Sequence, residues 1–244
     1  NKLSGPIPEA LGEMTKLEGL MLSSNLWTGQ LPNLDKLVNL KILHLANFYN
    51  VDAKGNVISE VTGTLPDISK MPQLKYIDAS FSNLSGQLPE QIGLCHNLQV
   101  LELSFNQLTG SIPASISECA DLQILSVQNN KMSGEIPDLS ALVNLGMPLD
   151  LGMGNKEPGR LYLNSNQFTG PFPESVVMLP RLQRFSCANN KLTGPLPQDL
   201  GTMESCEAFF ADHNQFTGAL PQELPTKLWY LDLGYNQFTG SIPA

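Results

Sequence analysis

A 24-residue pattern recurs along the whole chain and limits the folds that are open to it. One copy runs from Leu98 to Asp121 and reads LQVLELSFNQLTGSIPASISECAD. Leu101 and Leu103 alternate with polar residues, which predicts a strand with one buried face. A unit of this length cannot bury its leucines alone, so the copies must stack on one another. The sequence therefore predicts one continuous solenoid.

A glycine marks the same turn in every copy and measures the repeat. Seven of the nine intervals between these glycines are 22 to 24 residues, and the other two are 34 and 36 residues. We expect a single domain over residues 1–244 with about ten repeats, uncapped at both ends, and insertions near 48–59 and 146–158. An alternative for the second insertion makes Leu149 to Leu151 the strand. The marking glycines are Gly5, Gly29, Gly63, Gly86, Gly110, Gly134, Gly170, Gly194, Gly218 and Gly240.

An asparagine follows most of the predicted strands, where the backbone leaves the ladder and its polar groups need other partners. An inward amide offers donors and an acceptor to those groups. Phe48 and Ser82 break this column. A proline opens the next part of each repeat, which is long enough for one or two turns of 3-10 or α-helix on the outer face.

The full pattern LxxLxLxxNxL(S/T)GxIPxxLG resembles the plant-type leucine-rich repeat of receptor-like kinase ectodomains and polygalacturonase-inhibiting proteins. Its (S/T)G-x-(I/L/F)-P portion distinguishes that class and recurs in all ten turns. The resemblance implies an α/β repeat solenoid, a right-handed superhelix with an inner parallel β-sheet and short 3-10 or α segments outside. It also implies a second short strand in each repeat, near Leu108 to Gly110.

Composition excludes some partners. The chain has 14 Lys and Arg against 23 Asp and Glu, for a formal charge of -9. A face that binds phosphates needs a surplus of basic residues, so we expect no nucleic-acid partner. No apolar run approaches the length of a membrane span. The resemblance places such a chain outside the cell, either secreted or as a membrane-anchored ectodomain.

Residues that carry chemistry are sparse. Cys95 and Cys119 occupy the same position in successive repeats, as buried core residues would, and no CxxC pair suggests zinc. Asp78 and Glu102 should be neighbours, with His44 nearby, but acid–base catalysis needs a water-poor pocket that an open sheet does not provide. We therefore expect no enzyme, catalytic residue, metal or cofactor. Asn83 begins the one glycosylation sequon.

Variable residues on the inner sheet are the candidates for binding, because they stand at fixed spacing and include the aromatic and arginine anchors common at interfaces. The first group is aromatic and acidic, and the second has the opposite sign. An alternative for the aromatics is that they follow the family consensus before the asparagine. The candidates are His44, Tyr76, Asp78, Phe81, Glu102 and Phe105 in the first group and Arg160, Tyr162 and Arg184 in the second.

These observations favour a non-enzymatic recognition module, a fragment of a larger receptor-like protein that binds a protein or peptide on its concave face and insertion edges. One alternative is a secreted enzyme inhibitor or cell-wall protein of the polygalacturonase-inhibitor type. Another is a structural subunit of a larger assembly. A third is ice binding by the hydroxyl column Ser4, Thr28, Thr62, Ser85, Thr109, Ser133, Thr169, Thr193, Thr217 and Thr239.

Overall fold

The computed structural model describes residues 2–47, 60–150 and 156–242. Successive coils each add one strand to a common inner sheet, and its nine parallel strands follow sequence order. This arrangement confirms the leucine-rich-repeat solenoid predicted from the sequence. The strands are Gly19–Met21, Ile42–His44, Tyr76–Asp78, Val100–Glu102, Ile124–Ser126, Arg160–Tyr162, Arg184–Ser186, Ala208–Phe210 and Tyr230–Asp232.

Alternation within each strand separates a buried face from a concave one. Leu101 is fully buried and pairs in register with Ile77 on one side and Leu125 on the other. Leu103, two residues on, is also fully buried. Each such side chain contributes roughly 1.5–3 kcal/mol by leaving water. Because every coil has the same register, these residues form one continuous core.

A second strand follows the asparagine position in most coils, and these strands pair in parallel groups of two or three. In the coil that runs from Leu98 to Asp121 this strand is Gln107–Leu108. It begins one residue before the predicted strand Leu108 to Gly110 and ends before the glycine. Gly110 itself has φ 77°, a conformation that favours glycine, and its carbonyl oxygen accepts the backbone N–H of Ser133 in the next coil. These strands are Ser4–Pro6, Leu26–Gln30, Glu60–Thr62, Ser85–Gly86, Gln107–Leu108, Ser133–Gly134, Gln167–Phe168, Thr193–Gly194, Gln215–Ala219 and Gln237–Thr239.

Short helices close the outer side of the coils. All six helices in the described residues are of the 3-10 type, so the α alternative is not used there. None of them has the length and apolarity that a membrane span requires, over the same residues. The helices are Glu9–Glu13, Ile68–Lys70, Ile92–Leu94, Ala114–Glu118, Glu174–Met178 and Leu200–Thr202.

The asparagine column joins each coil to the one before it. Buried Asn106 donates from Nδ2 to the carbonyl oxygen of Ala79 at 2.8 Å and to that of Leu103 at 3.0 Å. Its Oδ1 accepts the backbone N–H groups of Leu84 at 2.9 Å and Ser82 at 3.2 Å. One amide therefore satisfies polar groups of two coils, as buried backbone requires.

Ser82 keeps part of this function where the asparagine is missing. Its hydroxyl lies 3.0 Å from the carbonyl oxygen of Ser80 and 3.2 Å from the carbonyl oxygen of Leu45 in the preceding coil, and it can donate to either. A hydroxyl supplies one donor where an amide supplies two. Phe48, the other break in the column, lies outside the described residues.

The residue before the asparagine, or before Ser82 in its place, adopts a left-handed backbone conformation in successive coils. Phe81 and Phe105 have φ of 54° and 56°, and Ser165 has φ of 56°. Residues other than glycine adopt this conformation at a cost of roughly 1–2 kcal/mol. The column continues with Ser24, Asn129, Asn189, His213 and Tyr235, all at positive φ.

The second insertion is closed at its base by two glycines. A Cβ on Gly159 would lie 2.0 Å from the carbonyl carbon of Gly146, so the two backbones are in direct contact. Leu149–Asp150 pairs antiparallel with Lys156–Glu157, and residues 151–155 lie outside the described part. The inner strand of this coil is Arg160–Tyr162, which excludes the alternative at Leu149 to Leu151. The first insertion, 48–59, lies outside the described residues.

Candidate functional site

The inner sheet places the candidate residues beside one another in a fixed order. His44 is the register partner of Asp78, and Asp78 is the partner of Glu102. Arg160 and Arg184 are partners on adjacent strands farther along. Parallel neighbours stand ~4.8 Å apart, so each group forms a compact patch on the concave face.

Asp78 is part of a hydrogen-bonded cluster and is only 5% exposed. Its Oδ1 accepts the Ser80 hydroxyl at 2.6 Å and the Ser80 backbone N–H at 3.0 Å. Its Oδ2 lies 3.5 Å from Nε2 of His44, which in turn meets the Tyr76 ring edge-on at 6.0 Å. The carboxylate therefore holds the positions of its neighbours and presents little of its own surface.

Glu102 joins the two groups that the sequence separates. Its Oε1 accepts the Ser104 hydroxyl at 2.5 Å, and its Oε2 accepts Nη2 of Arg160 at 2.9 Å. Arg160 reaches this partner across the intervening strand Ile124–Ser126. The long side chain of Arg160 therefore connects the two groups, and the use of either group for binding stays a prediction.

A small apolar cluster lies beneath this connection and was missed by the sequence reasoning. Val100 and Ile124 are 3% and 1% exposed although they belong to the concave face, and Tyr76 packs against them. These residues form a cluster distinct from the main core. The signal that points to it is a pair of aliphatic residues in a column otherwise rich in arginine and tyrosine.

Phe81 and Phe105 form an aromatic platform at the edge of the first patch. Their rings are stacked, with centroids 4.2 Å apart and an interplanar angle of 11°. Phe105 is 42% exposed, so one ring face is available to solvent. The shared left-handed backbone conformation holds both rings in the same orientation.

The second patch contains one neutralised and one unneutralised cation. Arg160 pairs with Glu102, and its guanidinium carbon lies 5.9 Å from the centre of the Tyr162 ring. Arg184 forms no ion pair with a described residue, and its buried Nε–H has no hydrogen-bond acceptor among them. The positive charge of Arg184 is therefore not balanced by an ion pair within the described residues.

A third aromatic group near the end of the sheet was present in the sequence columns but not selected. The rings of Phe210 and Tyr230 are 4.8 Å apart, and those of His213 and Tyr235 are stacked at 4.1 Å. Oδ2 of Asp212 lies 2.8 Å from Nδ1 of His213. The signal was the recurrence of aromatic residues in three neighbouring columns over the last two strands of the sheet.

The cysteines are structural. All four are free and fully buried. Burial raises the pKa of the Cys95 thiol to about 11 and those of Cys119 and Cys206 to about 12. The pKa of Cys187 is raised further by the same cause. Thiols held protonated in this way are poor nucleophiles.

Other chemistry finds little support in the described residues. No set of three His, Cys, Asp or Glu residues there is placed to hold a metal ion. Several hydroxyls of the predicted ice-binding column are used internally, since Ser85, Thr109 and Thr193 donate to glycine carbonyl oxygens of the preceding coil. Asn83 is exposed, and its Nδ2 donates to the Val61 carbonyl oxygen at 3.3 Å. Its glycosylation stays a prediction.

Sequence comparison identifies the repeat and one relative. The Leucine Rich Repeat family model matches residues 97–119, 181–203 and 227–244. A probable leucine-rich-repeat receptor-like serine/threonine-protein kinase of Arabidopsis thaliana is 41% identical over 64 residues. That segment covers 26% of this chain and 6% of the kinase.

Structural comparison extends the similarity to the whole chain. The plant peptide hormone receptor RGFR1, solved with RGF2, has a TM-score of 0.70 at 29% identity, covering 99% of this chain and 43% of the receptor. The Arabidopsis receptor kinase HAESA, solved with the peptide hormone IDA and the co-receptor SERK1, gives 0.68 at 26%, covering 100% and 50%. A plant ice-binding protein gives 0.68 at 24%, covering 99% and 64%, and shows the fold alone.

Proposed function

We propose that this chain, a plant-type leucine-rich-repeat protein, is a non-enzymatic module that recognises a protein or peptide on the concave face of its inner sheet. The observation that carries the proposal is the register of that sheet. It places Phe81, Phe105 and Arg184 on one continuous surface, together with the hydrogen-bonded clusters of Asp78 and Glu102. Receptors of similar structure have been solved with peptide hormones, which supports a ligand of this class.

The physical basis is that the ribbon is rigid before a ligand arrives. Ser80 and Ser104 fix the two carboxylates, and Glu102 fixes Arg160. A preorganised surface loses little conformational entropy on binding, so its contacts contribute more to affinity. An open sheet without a water-poor pocket is suited to this kind of recognition and not to catalysis.

Individual residues have distinct roles in the proposal. Phe105 and Phe81 receive an apolar side chain of the ligand, because an exposed ring face makes a large rigid contact at low entropic cost. Arg184 receives an anionic group of the ligand, because its charge has no counter-ion in the described residues. His44, Tyr76 and Tyr162 line the surface between these anchors.

The same proposal places the protein outside the cell, as a secreted chain or as part of a membrane-anchored ectodomain. The sequon at Asn83 and the receptor ectodomains of similar fold support this location. An intact-mass measurement on protein made in plant secretory cells would show the glycan, and loss of the added mass in Asn83→Gln would assign it.

A peptide selection tests the function directly. The full chain would be immobilised and used to enrich binders from a random twelve-residue display library, and the enriched peptides measured by calorimetry. We expect Phe105→Ala and Arg184→Gln each to weaken binding at least roughly tenfold, as substitutions of interface anchors do.

Matched variants on other surfaces control for general effects. Leu94→Ala removes an apolar side chain on the outer side that is 51% exposed, close to the 42% of Phe105. Lys131→Gln removes one exposed positive charge, as Arg184→Gln does. Peptides that bind equally to all four variants would place the binding surface elsewhere and refute the proposal.

A further inference from the structure

A groove of about 390 Å³ lies between two successive coils on the outer side of the solenoid. None of its lining residues belongs to the nine-stranded sheet. On one side the coil after Gly134 has turns and no helix over residues 138–146, and on the other the coil after Gly170 has the helix Glu174–Met178. The groove lies where these two unlike outer segments meet.

The floor of the groove is apolar and held in place. Phe172 is buried beneath it, Ile136 is half-buried beside it, and Met178 is 64% exposed at its edge. The backbone N–H of Leu139 donates to Oγ of Ser175 at 3.0 Å and so ties the two coils together at this point. Exposed methionine beside an aromatic ring forms an adaptable contact for an aliphatic or aromatic side chain.

The rim is acidic without a compensating charge. Glu135, Asp138 and Glu174 line the groove, and Lys, Arg and His are absent from its lining. None of the three carboxylates forms an ion pair with a described residue. Ser140 donates its backbone N–H to Oδ1 of Asp138 at 2.8 Å, which lowers the pKa of that carboxyl and keeps it ionised.

We propose that this groove binds a basic segment of a partner protein, with an arginine among the three carboxylates and a neighbouring aliphatic side chain on Met178 and Phe172. A guanidinium presents its donors in a planar fork that matches carboxylates, whereas a simple cation would leave the apolar floor unused. A second copy of this chain fits poorly, because it carries a formal charge of -9 and would be repelled by the rim. This surface is separate from the concave face and does not depend on the function proposed for it.

Defined peptides provide the probe. The full chain would be labelled at its methionine methyl groups and titrated with acetyl-Ala-Arg-Leu-Ala-amide, with the Met178 signal followed by NMR. We expect a saturable shift of Met178 with a millimolar dissociation constant, because contacts to exposed charges are individually weak. The peptides acetyl-Ala-Arg-Ala-Ala-amide and acetyl-Ala-Glu-Leu-Ala-amide test the aliphatic and the charged contact separately, and each should bind at least about fivefold more weakly.

Two variants of equal charge separate the groove from the general field of the protein. Glu135→Gln with Glu174→Gln should weaken the Arg-Leu peptide about fivefold or more, whereas Glu90→Gln with Glu204→Gln, at exposed positions outside the groove, should leave it unchanged. Methyl spectra of all variants would verify that the fold is intact. An unshifted Met178 signal, equal binding of the Glu peptide, or equal weakening by both pairs would overturn the proposal.

Discussion

Replacing Asn106 by leucine removes one side chain of nearly unchanged size together with all its hydrogen bonds. The buried N–H groups of Leu84 and Ser82 then lose the oxygen that they share, and the Ala79 carbonyl oxygen loses its amide donor. An unsatisfied buried group costs roughly 1–3 kcal/mol. Three such groups, partly offset by the apolar leucine, predict a loss of about 3–6 kcal/mol in the free energy of unfolding.

Asn236 provides the matched control. It donates to the carbonyl oxygens of Ala211 and Leu233 and accepts the N–H of Phe216, one N–H fewer than Asn106 accepts, and it is only half-buried. Water can replace a lost partner there, so Asn236→Leu should cost no more than about 1 kcal/mol. Asn106→Ser should fall between the two, because Ser82 shows that a hydroxyl in this column donates to neighbouring carbonyl oxygens.

Urea denaturation followed by circular dichroism would give the three free energies, and hydrogen exchange would locate the change. We expect faster exchange over residues 79–84 in Asn106→Leu, because that is where the orphaned groups lie. Equal costs for Asn106→Leu and Asn236→Leu, within about 0.5 kcal/mol, would refute the argument that buried backbone satisfaction is what the column provides.

Three further predictions concern other features of the coils. The free energy of unfolding should fall as pH rises above about 9, by up to ~1.4 kcal/mol per thiol and pH unit, because the buried thiols have raised pKa values and ionise first in the unfolded chain. Urea midpoints that stay constant from pH 8 to 10.5 would contradict this. Because φ of Ser165 is 56°, Ser165→Gly should stabilise the fold by about 0.5 kcal/mol and Ser165→Val should destabilise it by about 1 kcal/mol or more. Urea midpoints in the reverse order would rule out backbone strain. Gly159→Ala should cost about 2 kcal/mol or more, because its Cβ would meet the Gly146 backbone at 2.0 Å; a thermal midpoint equal to that of the parent chain would show that the loop base yields.

The features that follow from repetition could be predicted from the sequence. Register is one of them, because residues 24 positions apart, such as Asp78 and Glu102, occupy the same place in identical coils. The buried leucines follow from the same alternation, since a slip by one residue would turn every leucine of a strand to the concave face. The sequence left open whether the outer segments are 3-10 or α-helical. Segments of three to five residues are too short for 3.0 and 3.6 residues per turn to give different patterns.

The features that depend on a difference between one coil and the next could not be predicted in the same way. Arg160 pairs with Glu102 across a whole coil because its side chain is long and Ile124 between them is short, and a single column does not reveal this. The groove after Gly134 lies where one coil lacks the helix that its neighbour has. Such differences between coils are small in sequence and decide where the surface departs from its regular form.

The parallel inner ribbon also sets a scale for any extended chain that lies along it. Nine strands at ~4.8 Å give about 38 Å from first to last, whereas an extended peptide advances about 3.3 Å per residue. Roughly twelve residues therefore span the ribbon, and three residues of the peptide keep step with about two coils. Alternate side chains of such a peptide meet equivalent columns at shifting offsets, so each coil can differ in its preference without disturbing the next.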